Sequence, residues 1–451
     1  MFKKVISLTI VLAMVSTLMI GCGNKSTAEE TKTAETTVAT STQAAVDTQA
    51  EKNNEEFKIN ISGWFLDETV NTWSSYKDLL NKKYKEKYPN ATVVLDNLPG
   101  EKYMEVIKAK LASNSADELI FHQYNTLFSK AGYLMDVSDQ PFVSNLLDGT
   151  KSLVSYQGKV YGAPQAMQTF GAFYNKKIFA DNQIEIPKNW SEFLAVCEKL
   201  KAKGITPLGA GFKDSWVAMH TFQNIFMPNF ILDKNPNFLA DLYNGKVKIN
   251  SPEMKGAITK FADLATNGYF QKSMFSTDWM TSGTEFANGK YAMLIQGQWL
   301  PGMLDSSFKG TVTSKDCGYF PIAGESGKPI IALGIDHILS VNANVQDKQR
   351  ALDLFNIMIS EEGLSTSTID TSFPGIKSNV KHTIAALSDV QNALATNATC
   401  VPGYSFMPPS VYETEMTQIL QKALAGKGIS DADLDKADKT YETDKALAAQ
   451  P

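Results

Sequence analysis

The chain has 451 residues and a formal net charge of −5 at neutral pH. That length can bury a large core and divide it between lobes, while the modest acidic balance gives no electrostatic footprint for nucleic acid or for an anionic membrane surface. Hydrophobic residues at 43% and charged residues at 20% are ordinary for a soluble globular protein, which sets aside the disordered and fibrous classes.

The N-terminus is set apart from any fold. Lys3 and Lys4 precede an apolar stretch over 5–20, followed by Gly21-Cys22. This is a charged n-region and an apolar run too short and too well terminated for an ordinary membrane span. Gly21 before Cys22 resembles a lipobox, in which the cysteine becomes the lipid-modified first residue, although Met19 stands where leucine is most usual. Residues 1–21 are expected to be a lipoprotein signal peptide and Cys22 the lipid attachment site. Residues 22–56 carry almost no large apolar side chains and cannot bury enough surface to order themselves, so they read as a flexible tether. The expected location is outside the cell, held to the outer face of the cytoplasmic membrane by the lipid alone.

The folded part starts at Phe57. Residues 57–62 alternate as a strand and Gly63-Trp64-Phe65 breaks it with two aromatics at the strand end. A helix is expected over 70–88, stopped by Pro89, then a strand over 91–95, a helix over 102–112 and a strand over 118–121 that runs into His122-Gln123-Tyr124. This βαβαβ rhythm argues for a parallel sheet. In open α/β sheets ligands gather at the carboxyl ends of the strands, which puts Trp64, Phe65, His122 and Gln123 among the candidate contacts.

Further along, Tyr161-Gly162-Ala163-Pro164 is followed by Tyr174-Asn175-Lys176, and Pro187 to Phe193 reads as a helix start. Cys197 falls on the apolar face of that helix and reads as a buried small hydrophobe. Thr206 to Gly209 is a short strand, and Asp214-Ser215-Trp216 opens a helix. Trp216 by itself suits a core position beside Ile225 and Phe226; His220, one turn on, suits a hydrogen-bonded wall. At 286–301 a helix end, an Asn288-Gly289 turn and the apolar run Ala292 to Ile295 lead to Gly297-Gln298-Trp299. Trp299 arrives at a strand end with a flat apolar face and one N–H donor, which suits a sugar ring and would equally plug a core. Residues 330–335 read as one extended strand, and 348–360 as a helix with one apolar stripe. Cys317 and Cys400 could pair, though their spacing does not demand it, and no metal-ligand or cofactor spacing occurs.

Phe286, Gly289, Lys290, Ala292, Met293, Gly297 and Trp299 form F-x-x-G-K-x-A-M-x-x-x-G-x-W, which resembles the hallmark of the family 1 extracellular solute-binding proteins, the maltose-binding-like receptors of ABC importers. The YG-x-P and YN-K-x-x-F blocks at 161–164 and 174–179, and the P-x-x-W-x-E start at 187–192, resemble further blocks of that family, with Asn189 in place of its usual Thr. The resemblance covers roughly residue 57 to the C-terminus. It implies an α/β, two-lobed periplasmic-binding-protein fold with hinge crossings near Pro164, Ile330 and Gly363 and a ligand cleft between the lobes. The expected partition is 57–165 and 330–362 for the first lobe, 166–329 and 363–451 for the second. Trp299 and Trp216 are implied as sugar-stacking aromatics, Gln168 and Asp336 as polar contacts, and Gln298 accompanies Trp299. In many family members an acid stands at the position of Gln168.

The function expected from these features is that of a monomeric substrate-binding lipoprotein. It would capture a neutral mono- or oligosaccharide by hinge closure and deliver it to a permease driven by its ATPase, with no cofactor, no metal and no catalysis. Arg350 is the sole arginine and lies on a polar helix face, whereas carboxylated ligands are usually held by a buried bidentate arginine. A lipoprotein that presents ligand to a sensor, and an exported glycoside hydrolase, are the alternatives; the four histidines show no catalytic or metal spacing. Asp431, Asp433, Asp435 and Glu442 imitate a calcium loop, but Lys436 stands where that loop needs glycine. Ser430 and Asp433 explain the same stretch as a capping box.

Overall fold

In this computed structural model residues 53–98, 102–147, 149–368 and 371–451 are described. The expected signal peptide, Cys22 and most of the expected tether lie outside them.

The first sheet grows from the βαβαβ start. Phe57–Gly63 (β1) pairs in parallel with Ala91–Asn97 (β2) and with Leu119–His122 (β3). Between β1 and β2 the helix Asn71–Lys85 buries Trp73, Tyr76, Leu80 and Tyr84, a stripe at helical spacing. The helix Tyr103–Ala112 buries Tyr103, Ile107 and Leu111 before β3. Parallel strands need such crossovers, so the sheet is covered by helices and its strands are apolar.

The later strands are Ala163–Gln168 (β4), Phe170–Asn175 (β5), Thr206–Gly209 (β6), Tyr291–Gly297 (β7), Cys317–Phe320 (β8), Ile330–Ala332 (β9), Gly334–Val341 (β10) and Ala398–Cys400 (β11). The first sheet is completed by β10 and β4 in the order β2-β1-β3-β10-β4, and a second sheet has the order β8-β5-β7-β6. The chain therefore leaves the first sheet for the second within one residue, Thr169. It comes back at Leu333. The single strand expected over 330–335 is in fact two: Leu333 gives its N–H to Cys400 O (2.9 Å), β9 pairs with β11, and only β10 joins the first sheet.

The two largest apolar cores follow this division. Ile61, Phe121, Leu339 and Phe355 belong to the first; Phe193, Leu208, Phe226, Phe261 and Met293 belong to the second. The helix Ser215–Thr221 does not continue regularly through Ile225 but widens into π-helical turns at Phe222–Phe226 and Pro228–Leu232. At 430 the calcium-like pattern is a helix start: Ser430 Oγ accepts the Asp433 N–H (3.1 Å) at the head of Asp431–Asp444. Cys197, Cys317 and Cys400 are all free. No helix among the described residues is long and apolar enough to cross a membrane.

Candidate functional site

Because β1 and β3 are parallel, their carboxyl ends open on the same side of the first sheet, and the antiparallel β10 begins there. The β10–β4 ladder is irregular at this point. Gly334 and Ile335 pair with Gln168 and Met167, His337 with Ala166, and Asp336 has no partner in the register, so it is the extra residue of a β-bulge. Its carboxylate lies 3.1 Å from His337 Nδ1, while His337 Nε2 lies 2.6 Å from Gln165 Oε1. Phe65 stacks on the His337 ring at 4.2 Å and Trp64 meets the same ring edge-on at 5.7 Å. The two aromatics at the end of β1 thus brace the residue that holds Asp336. Gln123 Nε2 donates a hydrogen bond to Asp336 O (2.8 Å).

His122 is fully buried. Ser340 Oγ spends its single proton on Tyr161 O (2.8 Å), so it must accept from His122 Nε2–H (2.8 Å). That fixes Nδ1 as a bare acceptor, and Nδ1 has no hydrogen-bond partner among the described residues. Burial lowers the pKa of this ring to about 3, so it is neutral.

On the second sheet, β7 ends at Gly297 and the chain turns back over it. A Cβ at Gly297 would lie 2.3 Å from the Trp299 ring, so the indole rests directly on the glycine backbone. Phe170 braces it edge-on at 5.4 Å, and Trp216 stands 6.2 Å away. Trp216 in turn contacts His220 (5.8 Å) and Trp279 (6.1 Å). All three indoles keep part of their surface exposed. His220 is buried, bonded through Nε2 to the Tyr412 hydroxyl, and held neutral by burial at a pKa of about 4. Gln298 differs from its neighbour. It is completely buried and its amide is spent on Thr169 N–H (2.8 Å), Met167 O (3.1 Å) and Thr371 O (3.2 Å), so it staples the passage between the sheets.

The two walls meet at Gln168, the last residue of β4. Its Nε2 donates to the Tyr404 hydroxyl (2.6 Å), and the Tyr404 ring lies 5.3 Å from His220. Gln168 Oε1, Gln223 Oε1, Asn125 Nδ2 and Tyr124 OH are buried without a partner among the described residues, as is His220 Nδ1. An open pocket is lined by Gln123, Tyr124 and Asn125 from one lobe and by Tyr404, Met407 and Tyr412 from the other. No tryptophan lines it, and Tyr404 is the side chain it shares with the aromatic wall. Glu413 is exposed, yet the surrounding protein and then the Glu105 charge on the other lobe push its pKa up to about 7, with Lys108 opposing.

Arg350 is remote from all of this. Its guanidinium sits 3.9 Å over Phe57, at the opposite end of β1 from Trp64, and pairs with Glu55 (2.9 Å).

Tyr404, Tyr412, Gln165, Asn125 and Trp279 were not singled out by the sequence. Tyr404 sits in a single 3₁₀ turn, Gly403–Phe406, and no periodicity marks it. Trp279 did carry a signal: Asp278 caps its helix through Thr281 N–H (2.8 Å), a pattern visible as a helix start.

Two mixed α/β lobes with a polar and aromatic cleft at their strand ends define a two-lobed solute-binding protein of the periplasmic type. The chain belongs to the family of bacterial extracellular solute-binding proteins, whose model matches residues 67–364. It is 23% identical to the multiple sugar-binding protein of Streptococcus mutans over 358 residues, 78% of this chain and 77% of that one. It is 24% identical over 292 residues to an uncharacterised extracellular-binding protein of an ABC transporter from Pyrococcus horikoshii; the match takes in 62% of this chain and spans 64% of that relative's length. Among solved structures, a chitin oligosaccharide binding protein superposes with a TM-score of 0.74 at 20% identity, over 86% of this chain and 99% of that one. A Bacillus licheniformis sugar transporter in complex with stachyose gives 0.69 at 16%, over 87% and 100%. These likenesses establish the fold.

Proposed function

We propose that the protein is the substrate-binding lipoprotein of an ABC importer and that it captures a neutral carbohydrate from outside the cell. The observation that carries this reading is the chemistry of the unpartnered atoms. His122 Nδ1, Gln168 Oε1 and Gln223 Oε1 are acceptors buried without donors among the described residues, and a buried acceptor left unmade is costly. Asn125 Nδ2 and the Tyr124 hydroxyl add donors to the set, and acceptors and donors together suit the hydroxyls of a neutral ligand, which both give and accept. The half-exposed indoles of Trp299 and Trp216 supply the apolar faces for the CH side of the same ligand. The sole arginine is engaged elsewhere, which fits a ligand without a carboxylate.

In this reading Trp299, Trp216, Gln168, Asp336, Gln123 and His122 meet the ligand, while Gln298, Trp64 and Phe65 position those that do. The first lobe comprises 57–168 and 334–368, and the second takes 170–332 and the C-terminal helices. Closure is a population shift driven by contacts that only the closed state makes. The closed form is handed to the permease and its ATPase, and the protein turns nothing over. A signal peptide over 1–21 directs export and is removed, and lipid on Cys22 then holds the chain at the membrane.

The test is intrinsic tryptophan fluorescence against a panel of neutral sugars, with product analysis after long incubation. Saturable quenching with unchanged sugar is the expected result; binding confined to charged solutes, or accumulation of hydrolysis products, overturns the reading. For the anchor, labelling with a radioactive fatty acid should mark the wild type and not Cys22→Ala.

A further inference from the structure

Gln298 has its backbone in one lobe and its amide in the other. Its N–H binds Thr169 O (3.2 Å), one step beyond the Phe170–Gly297 pair, so the main chain at 298 prolongs the β5–β7 ladder of the second sheet. The side chain runs past Thr169 toward the first lobe. Oε1 accepts the Thr169 N–H (2.8 Å), and Nε2 donates to Met167 O (3.1 Å) in β4 and to Thr371 O (3.2 Å). Thr169 is the single residue between the two sheets, and one glutamine holds both its N–H and its C=O.

The first-lobe end of this bridge is itself zipped. Met167 N–H donates to Phe373 O (2.6 Å), Ser372 Oγ to Met167 O (2.8 Å) and Gly375 N–H to Pro164 O (3.0 Å). A Cβ added at Gly375 would lie 2.8 Å from Pro164 O, so the two segments approach as closely as only glycine permits. Leu147 N–H then binds Gly375 O (3.1 Å), and Ile376 enters the first-lobe core. Gln298 therefore reaches a paired, anchored segment and not a loose loop. On its own side, Gly297 and Phe170 carry the Trp299 indole. A change of lobe angle at Thr169 turns β4 against β5 and stretches a bridge that spans the turn. Hydrogen bonds weaken steeply with angle, and these are wholly buried, where a lost partner is not replaced by water.

We propose that Gln298 is the hinge clasp of the protein, a positioning residue that limits the angles the two lobes take without ligand. It keeps Trp299 of one wall and Gln168 of the other in a fixed relation, which lowers the ordering cost of binding. The clasp is independent of ligand class, so it does not rest on the carbohydrate reading.

The experiment compares wild type with Gln298→Met, both without ligand. Spin labels are placed at Lys159→Cys and Lys177→Cys, exposed positions on the first and the second lobe, with Cys22→Ser and Cys400→Ser in both proteins. Pulsed dipolar spectroscopy should give a distance distribution roughly twice as wide in Gln298→Met, as further angles become populated. In the unlabelled proteins, amide exchange over 164–168 and 371–377 should quicken roughly tenfold, the worth of one buried hydrogen bond. Those stretches hold the Met167 and Gly375 N–H groups, whose partners are Phe373 O and Pro164 O and not Gln298. A wild-type width in Gln298→Met, or faster exchange confined to Thr169, overturns the clasp and leaves the carbohydrate reading standing. Should Gln298→Met melt early, Gln298→Glu carries the same comparison. A buried carboxyl is neutral; it keeps the Thr169 acceptor but has one proton for two first-lobe carbonyls. Its width should fall between the other two, and a width equal to the wild type's overturns the clasp as well.

Discussion

The two walls of the cleft are built from different materials. The first lobe offers polar groups on strand ends: His122, Gln123 and a bulged Asp336, each fixed by a hydrogen bond to its own lobe. The second offers three indoles on helix starts and a strand end, fixed by close backbone approach and by ring contacts. Polar recognition tolerates little positional error, because a hydrogen bond weakens steeply with angle, and strand ends of a covered sheet are stiff. Stacking tolerates more, because dispersion and CH contact fall off gently with sliding. Under the carbohydrate reading proposed above, this division would have the first lobe read ligand identity and the second supply most of the affinity.

The largest effect should come from acid, and it should strike both walls. His122 and His220 are buried neutral, with pKa values lowered to about 3 and about 4 from the 6.5 of an exposed ring. Below pH 6.5 the unfolded chain binds protons that the folded one refuses, so stability is full above that pH and is lost as pH falls toward 4. The loss should be on the order of 3 kcal/mol for each ring. Urea unfolding at pH 7, 5 and 4 should show it, and His122→Gln and His220→Gln should each flatten the slope. A pH-independent midpoint would mean that the rings are hydrated.

Next in size is Trp299→Ala. Removing the stacking surface should weaken sugar binding by one to two orders of magnitude, about 1–3 kcal/mol, with little change in melting temperature because the ring is already part exposed. A large drop in melting temperature with unchanged affinity would return Trp299 to the core. On the opposite side of the comparison, Gln168→Met removes one acceptor and the Tyr404 bond. It should weaken binding about tenfold, on the order of 1–1.5 kcal/mol, and should do so unequally among epimers of one sugar. Equal losses across epimers would show that the hinge, and not the ligand, needs Gln168.

How much of this was legible depended on whether a local pattern encoded it. The βαβαβ start was, because Ile59 and Ile61 alternate on β1 and Trp73, Tyr76, Leu80 and Tyr84 repeat on the helix after it. The strand leading to Trp299 was also legible, since a doubly covered strand needs an unbroken apolar run. The passage at Leu333 was not, because a run of apolar residues looks the same whether one sheet or two receives it. The role of Gln298 was hidden for a similar reason. A glutamine beside a stacking tryptophan reads as a ligand contact, and only the tertiary fold brings Thr169, Met167 and Thr371 to its amide. Asp336 was singled out by resemblance, and the bulge that sets it out of the ladder, between two distant strands, has no signature in either strand alone.

The smallest effect probes the gap between the walls and not either wall itself. Glu413 on the second lobe feels the charges of Glu105 and Lys108 on the first, and its pKa is pushed up to about 7 by the protein around it and by the Glu105 charge. Above pH 7 it is charged, and bringing the lobes together then presses like charges toward each other, with Lys108 relieving part of the strain. Below pH 6 it is neutral and the penalty is gone. Wild-type affinity should therefore fall two- to threefold between pH 6 and pH 8, a size in keeping with solvent-screened charges. Glu413→Gln should hold the pH 6 affinity at both values, and Glu105→Gln should do the same from the other side. If both variants keep the wild-type slope, the pH dependence belongs to groups within one wall. If only one flattens it, the charges act on their own lobe and do not couple the two.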